Sequence, residues 1–212
     1  MTKSPHLYGI FGGTFDPVHN GHIHSVLQVA DRLSLTQVYL LPSAVPPHRP
    51  SPCASADHRL KMVELAVQQH DRLISDDREL RRSSPSYTID TIASFTQQFP
   101  GMRPCLIVGM DAALELDHWY RYSDLLDLCH LIVMYRPGWD LPKQLPPWWQ
   151  NRLTVAAPTS EMDPAVYILE IEPTEISATQ IRERISRNEP VTEFLPASVS
   201  DYIELNHLYQ TL

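Results

Sequence analysis

Short apolar runs alternate along this chain with longer stretches whose apolar positions recur every three or four residues, the pattern of strands alternating with helices. Residues 7–11 read as a strand, 38–41 as a short buried strand and 105–108 as a central strand ending at Gly109. Residues 131–134 read as another, and 166–171 as the last. The first helix is predicted over 20–33, with Ile23, Val26, Leu27, Ala30 and Leu33 on one face. A second begins at Asp57 as its N-cap and turns Leu60, Val63 and Val67 inward. A third covers 88–98. Ser177-Ala-Thr-Gln180 matches a capping box, followed by Ile181 and Ile185 on one face, and a final helix spans 196–205.

Strands alternating with helices imply an α/β fold with a doubly wound, mainly parallel sheet and helices on both faces. Ligands in such folds gather at the carboxyl ends of the strands. Four polar segments, 12–22, 42–49, 109–120 and 177–182, each follow a predicted strand and are expected to converge on one site. Residues 42–52 hold five prolines and form a loop, and 81–86 form another. Residues 136–150, with four prolines and three tryptophans, are expected to run over the surface.

Length and composition narrow the function classes. A chain of 212 residues without internal repeats is expected to be a single domain over 1–212. A net charge of −8 argues against a general nucleic-acid binder, although a nucleotide needs only a local positive cluster. Cys53, Cys105 and Cys129 are widely spaced, as reduced thiols in a cytoplasmic protein are, and Cys105 and Cys129 lie beside apolar runs as core residues. No apolar run reaches transmembrane length and no signal peptide is expected, so neither a membrane nor a nucleic acid is an expected partner. Oligomeric state is not readable here.

The candidate chemistry concentrates at 8–22. Four of the seven glycines, Gly9, Gly12, Gly13 and Gly21, lie there. Strand, glycine turn, then helix start is a layout that presents backbone N–H groups to a phosphate. His19 and His22, three apart at a helix start, can share a side and donate to phosphate oxygens; the bland alternative is a capping or surface pair. No second Cys/His cluster accompanies them, so no metal held directly by protein side chains is expected. Arg49 suits bidentate phosphate contact or is a solvated loop charge. Ser177, Thr179 and Arg182 mark a helix N-terminus that favours an anion, or a plain capping box with a surface arginine. Asp111 suits a ribose hydroxyl or a helix cap, and Trp119 and Tyr120 suit stacking or core packing.

Together these segments resemble the nucleotidyltransferase superfamily with the His-x-Gly-His signature, here His19-Asn-Gly-His22. Pro46-Pro-His-Arg49, Ser86-Tyr-Thr-Ile-Asp-Thr91, Gly109-Met-Asp111, Trp119-Tyr120, the run from His130 to Gly138 and Ile176-Ser-Ala-Thr-Gln-Ile-Arg182 look like its bacterial nicotinate-nucleotide adenylyltransferase branch. The resemblance implies a Rossmann-like sheet and transfer of the adenylyl group of ATP to nicotinate mononucleotide, with magnesium, as a step of NAD synthesis. It implies that Gly12, Gly13, Thr14 and Phe15 contact phosphates through their backbone. It makes His19, His22 and Arg182 catalytic, with Arg49 beside them on the phosphates. Asp111 would hold the ribose, with Ser177 and Thr179 near adenine and phosphate. Trp119 would stack on the pyridine, and the amides of Thr88 and Tyr120 would receive its carboxylate. Nicotinamide mononucleotide or phosphopantetheine as substrate, and a nucleotide-binding regulator without catalysis, are the alternatives.

Overall fold

The computed structural model describes residues 7–44, 51–83, 85–135, 145–172 and 174–210. Among them are seven strands: β1 (Leu7–Gly13), β2 (Val38–Pro42), β3 (Leu73–Ser75), β4 (Arg103–Gly109), β5 (His130–Tyr135), β6 (Leu153–Thr154) and β7 (Val166–Glu170). They join one sheet in the order β3-β2-β1-β4-β5-β7-β6. The ladders of β1 with β4, β4 with β5, β5 with β7 and β6 with β7 are all parallel. The strand order reverses at β1, which lies between β2 and β4, so this α/β sheet has the switch point of a Rossmann-like fold there.

The described helices are α1 (Asn20–Arg32), α2 (Ala56–Val67), α3 (Thr88–Gln98), α4 (Met110–Leu114), α5 (Tyr122–Leu128), α6 (Pro147–Gln150), α7 (Ala178–Ser186) and α8 (Ala197–Leu205). The third helix matches its expected bounds, and the central strands fall where the unbroken apolar runs lie, because strands buried on both faces need apolar side chains on both. β3 and β6 were not expected: three and two residues are too few to show a period. Ser55, not Asp57, caps α2; its side chain accepts from the N–H of His58 at 3.3 Å and leaves Asp57 in the first turn. The expected surface excursion is corrected at its far end. Pro147 opens the one-turn helix α6, and Trp149 is fully buried.

The chain divides into two compact units. The first comprises the described parts of Met1–Phe11, Val26–Tyr39 and Tyr87–Glu172. Its core joins strand residues such as Leu106, Ile107 and Leu131 to an aromatic cluster, with Tyr39 and Phe95 centred 4.8 Å apart and Tyr8 and Phe99 5.3 Å apart. Cys105 and Cys129 are buried free thiols as expected, and desolvation pushes the Cys129 thiol up to about 12.

His130 fastens the loop before β7 in this unit. Its Nδ1 accepts from the N–H of Ala165 at 3.2 Å, so the ring proton is on Nε2, which donates to the carbonyl of Thr159 at 2.9 Å. Burial first, and the positive charge of Arg103 to a smaller degree, hold the imidazole below its ordinary value of 6.5. The unfolded chain therefore takes up a proton that the folded chain resists. Stability from this group is complete above pH ~6.5 and is lost as pH falls through the folded value. His130→Gln, which can keep both hydrogen bonds, is expected to flatten the acid side of a plot of Tm against pH. The slope removed is at most about 1.4 kcal/mol per pH unit, the limit for one proton. Parallel curves for the two proteins between pH ~5 and ~7.5 would show that His130 does not titrate there.

The second unit comprises the described parts of Gly12–Ser25, Leu40–Ser86 and Pro173–Leu212. Here α2 packs on α8 through Met62, Val63, Val199 and Ile203. His58 Nδ1 meets the Tyr202 hydroxyl at 2.8 Å, and the Ser198 hydroxyl donates to the carbonyl of Leu65 at 3.2 Å.

Candidate active site

The end of β1 and the start of α1 form the glycine turn. A Cβ on Gly13 would lie 3.0 Å from the Phe15 ring, and one on Gly21 would lie 3.0 Å from the His19 ring, so close approach explains both glycines. Positive φ does not fall on a glycine of this turn but on Phe15, at +50°, a backbone state that bulky residues adopt only when their surroundings hold them. Phe15 is buried, with its ring edge-on to His22 at 5.1 Å. Gly12 differs: it is exposed, and a Cβ there would meet nothing among the described residues within 4 Å.

The histidines lie on one side, as their spacing predicts. Their rings stack with centroids 3.7 Å apart and planes 29° apart. His19 is buried and His22 half-buried. His22 Nδ1 accepts from the backbone N–H of His19 at 3.2 Å. That bond requires a lone pair on Nδ1, so the ring proton is on Nε2 and His22 keeps a donor on its far nitrogen. Asn20 between them is structural: its amide donates to the carbonyl of Glu193 at 3.0 Å and its backbone N–H to that of Phe194 at 2.9 Å.

The helix carrying Ser177, Thr179 and Arg182 belongs to the same unit. The capping box is present: the Ser177 hydroxyl accepts from the N–H of Gln180 at 3.2 Å, while the Gln180 side chain accepts from the Ser177 N–H at 3.0 Å. Ser177 is therefore engaged locally. Arg182 is not a free surface charge. Its Nη1 donates to the backbone carbonyl of Asp16 at 2.7 Å and its Nη2 to the Thr179 hydroxyl at 3.3 Å. The structure thus brings Gly12, Gly13, Thr14, Phe15, His19, His22, Thr179 and Arg182 into one unit, with a guanidinium tied to the glycine turn. Arg49 lies outside the described residues.

Thr88, Asp111, Trp119 and Tyr120 belong to the other unit. Thr88 opens α3, where the backbone N–H has no intrahelical acceptor. Trp119 is half-buried, while Tyr120 is exposed and packs on exposed Tyr87 with ring centroids 4.4 Å apart. Asp111 is exposed in the first turn of α4, whose N-cap is Gly109 and not Asp111.

Sequence reasoning missed Asp16, Arg59 and Tyr209. The Asp16 carboxylate is buried and accepts from the N–H groups of Cys53 at 2.7 Å and Ala54 at 3.0 Å and from the Tyr209 hydroxyl at 2.8 Å. Arg59 is 1% exposed and donates to the carbonyls of Thr14 at 2.8 Å and Ser43 at 3.0 Å. A signal for Arg59 was available. It shares the period of Met62, Val63 and Ala66, so it stands on the buried face of α2, where a cation needs partners.

The cytidylyltransferase-like family model matches residues 10–184. A protein of Serratia proteamaculans described as a probable nicotinate-nucleotide adenylyltransferase is 44% identical over 211 residues, covering 96% of each chain. This chain belongs to the nicotinate-nucleotide adenylyltransferase family. A relative from Aeromonas salmonicida with the same description is 38% identical over 214 residues and 99% of each chain. The nicotinic acid mononucleotide adenylyltransferase of Plasmodium falciparum shares the fold. Its structure complexed with NaAD superposes with a TM-score of 0.74, covering 98% of each chain at 15% identity. The one complexed with APC superposes with a TM-score of 0.73 and equal coverage at 16% identity.

Proposed function

We propose that the chain transfers the adenylyl group of ATP to nicotinate mononucleotide, giving nicotinate adenine dinucleotide and pyrophosphate. Two observations support this: relatives named for this activity match nearly end to end, and Arg182 is tied to the glycine turn that carries His19 and His22. The attacking group is already a phosphate anion, so the reaction needs no strong base. It needs two polyanions aligned in line and the charge on the α-phosphorus oxygens stabilised. The backbone of Gly12 to Phe15 would cradle the ATP phosphates. Donation from His22 Nε2 would strengthen as charge develops, and Arg182, with Arg49, would neutralise the phosphate chain. Magnesium would come with ATP and supply charge neutralisation on its phosphates.

Asp111 would hold the adenosine ribose. Trp119 would stack on the pyridine ring, and the amides of Thr88 and Tyr120 would receive its carboxylate. That carboxylate would gain from the N-terminus of the 11-residue helix α3, whereas a neutral carboxamide would gain less. Among the described residues no helix is long and apolar enough to cross a membrane.

Gly12 separates phosphate handling from folding. A methyl group there meets no atom of the described residues within 4 Å, so Gly12→Ala should leave Tm within about 2 °C of the parent. It should raise the apparent KM for ATP about tenfold by occupying space that a phosphate uses. Unchanged KM with unchanged Tm would remove Gly12 from the phosphate site.

The decisive test is magnesium-dependent pyrophosphate release from ATP with nicotinate mononucleotide, nicotinamide mononucleotide or phosphopantetheine as acceptor. Fast release with the first alone supports the proposal and its selectivity. Equal release with both pyridine nucleotides keeps the chemistry and removes the selectivity. Nucleotide binding without release from any of them would make the chain a regulator.

A further inference from the structure

We propose that Tyr209 is a positioning residue for adenylyl transfer, acting through Asp16 on Arg182; this rests on the reaction proposed above. The chain of contacts is continuous within the second unit. The Tyr209 hydroxyl donates to Asp16 Oδ1 at 2.8 Å, and the peptide oxygen of the same aspartate receives Arg182 Nη1 at 2.7 Å. One side-chain oxygen of Asp16 also takes the N–H of Cys53, and the other that of Ala54, so the carboxylate is held from two further points. Two residues earlier, the Thr14 carbonyl is held by buried Arg59. The Thr14–Phe15 peptide, just before left-handed Phe15, is thereby pinned by Arg59, and the Asp16–Pro17 peptide, one residue beyond it, by Arg182.

The path of the chain near Tyr209 favours a specific role over plain packing. Both His207 and Tyr209 have positive φ, +52° and +64°, a conformation disfavoured for side chains of this size. What this backbone secures is a tyrosine ring that is 6% exposed and whose hydroxyl reaches the aspartate. A ring that only filled space would not need the oxygen. Burial and the neighbouring Asp16 charge raise the Tyr209 phenol well above its ordinary value, so it remains a donor throughout the neutral range. Arg182 must meet the phosphate chain from a fixed place, and small displacements of a charge-bearing group lower the rate more than they lower ground-state binding.

The test is a double-mutant cycle on the full chain. Wild type, Tyr209→Phe, Arg182→Ala and the double variant are compared by magnesium-dependent pyrophosphate release from ATP and nicotinate mononucleotide. Tyr209→Phe keeps the ring and removes only the oxygen. It should lower kcat about fivefold with KM for ATP within about twofold. In the Arg182→Ala background it should lower kcat by less than about 1.5-fold, because the group it positions is gone. Its effect on Tm should be the same in both backgrounds. An unchanged kcat in folded Tyr209→Phe, or equal fold losses with and without Arg182, overturns the inference. Should Tyr209→Phe not fold, Asp16→Asn takes its place in the same cycle and is judged by the same two criteria. A wild-type chain without turnover overturns the proposed reaction and this inference with it; additivity on an active wild type overturns this inference alone.

Discussion

Replacing His22 with alanine should lower kcat by about 10²–10³-fold while the KM for ATP stays within about threefold. The expectation follows from where the ring proton lies. The bond from the His19 N–H occupies Nδ1, which leaves the Nε2 proton as the donor the residue offers. Stacking on His19 at 3.7 Å and edge contact with Phe15 at 5.1 Å restrict the ring before any substrate arrives. A donor held in advance gains most when the phosphoryl oxygens acquire transition-state charge, and little in the ground state. Steady-state kinetics over a range of ATP concentrations separate the two. A raised KM with kcat intact would make His22 a binding residue.

Asp16→Ala should have the largest effect on stability. The substitution strands the backbone N–H groups of Cys53 and Ala54 and the Tyr209 hydroxyl, each of which the carboxylate now satisfies. Hydrogen bonds to a charged group contribute about 1.5–3 kcal/mol each and do not sum fully, so a loss of about 3–5 kcal/mol is expected. For a chain of this size each kcal/mol moves Tm by about 2–4 °C, giving a fall of roughly 6–20 °C by far-ultraviolet circular dichroism. A shift under about 2 °C would mean that water replaces the carboxylate at little cost and that the aspartate does not hold the turn.

Much of this was legible from local pattern. The buried strands announce themselves as apolar runs, and the first helix as a periodic face. The histidine pair is legible because three residues at a helix start fix which side both rings take. Elements without a period escaped: β3 and β6 are pairing fragments whose existence depends on their neighbours. Ser55 and Asp57 are equally good capping residues, and only the bond to the His58 N–H chooses between them. Trp149 was misjudged because prolines signal surface while an indole gains most from burial. The contact of Asp16 with Tyr209 spans 193 residues and leaves no trace in either neighbourhood. Arg182 was legible as a candidate, but not its anchorage on the Asp16 peptide, because a backbone acceptor has no residue type to read.

The two compact units also differ in intrinsic emission. The described tryptophans, Trp119, Trp148 and Trp149, all belong to the unit that holds Tyr87–Glu172, and Trp149 is fully buried there. Their fluorescence during a melt therefore follows that unit, whereas far-ultraviolet ellipticity sums the helices of both. Superimposable curves from the two signals would identify a single cooperative transition. A fluorescence change that trails or precedes the ellipticity would show that the unit with the glycine turn and the unit with the aromatic cluster unfold at different temperatures.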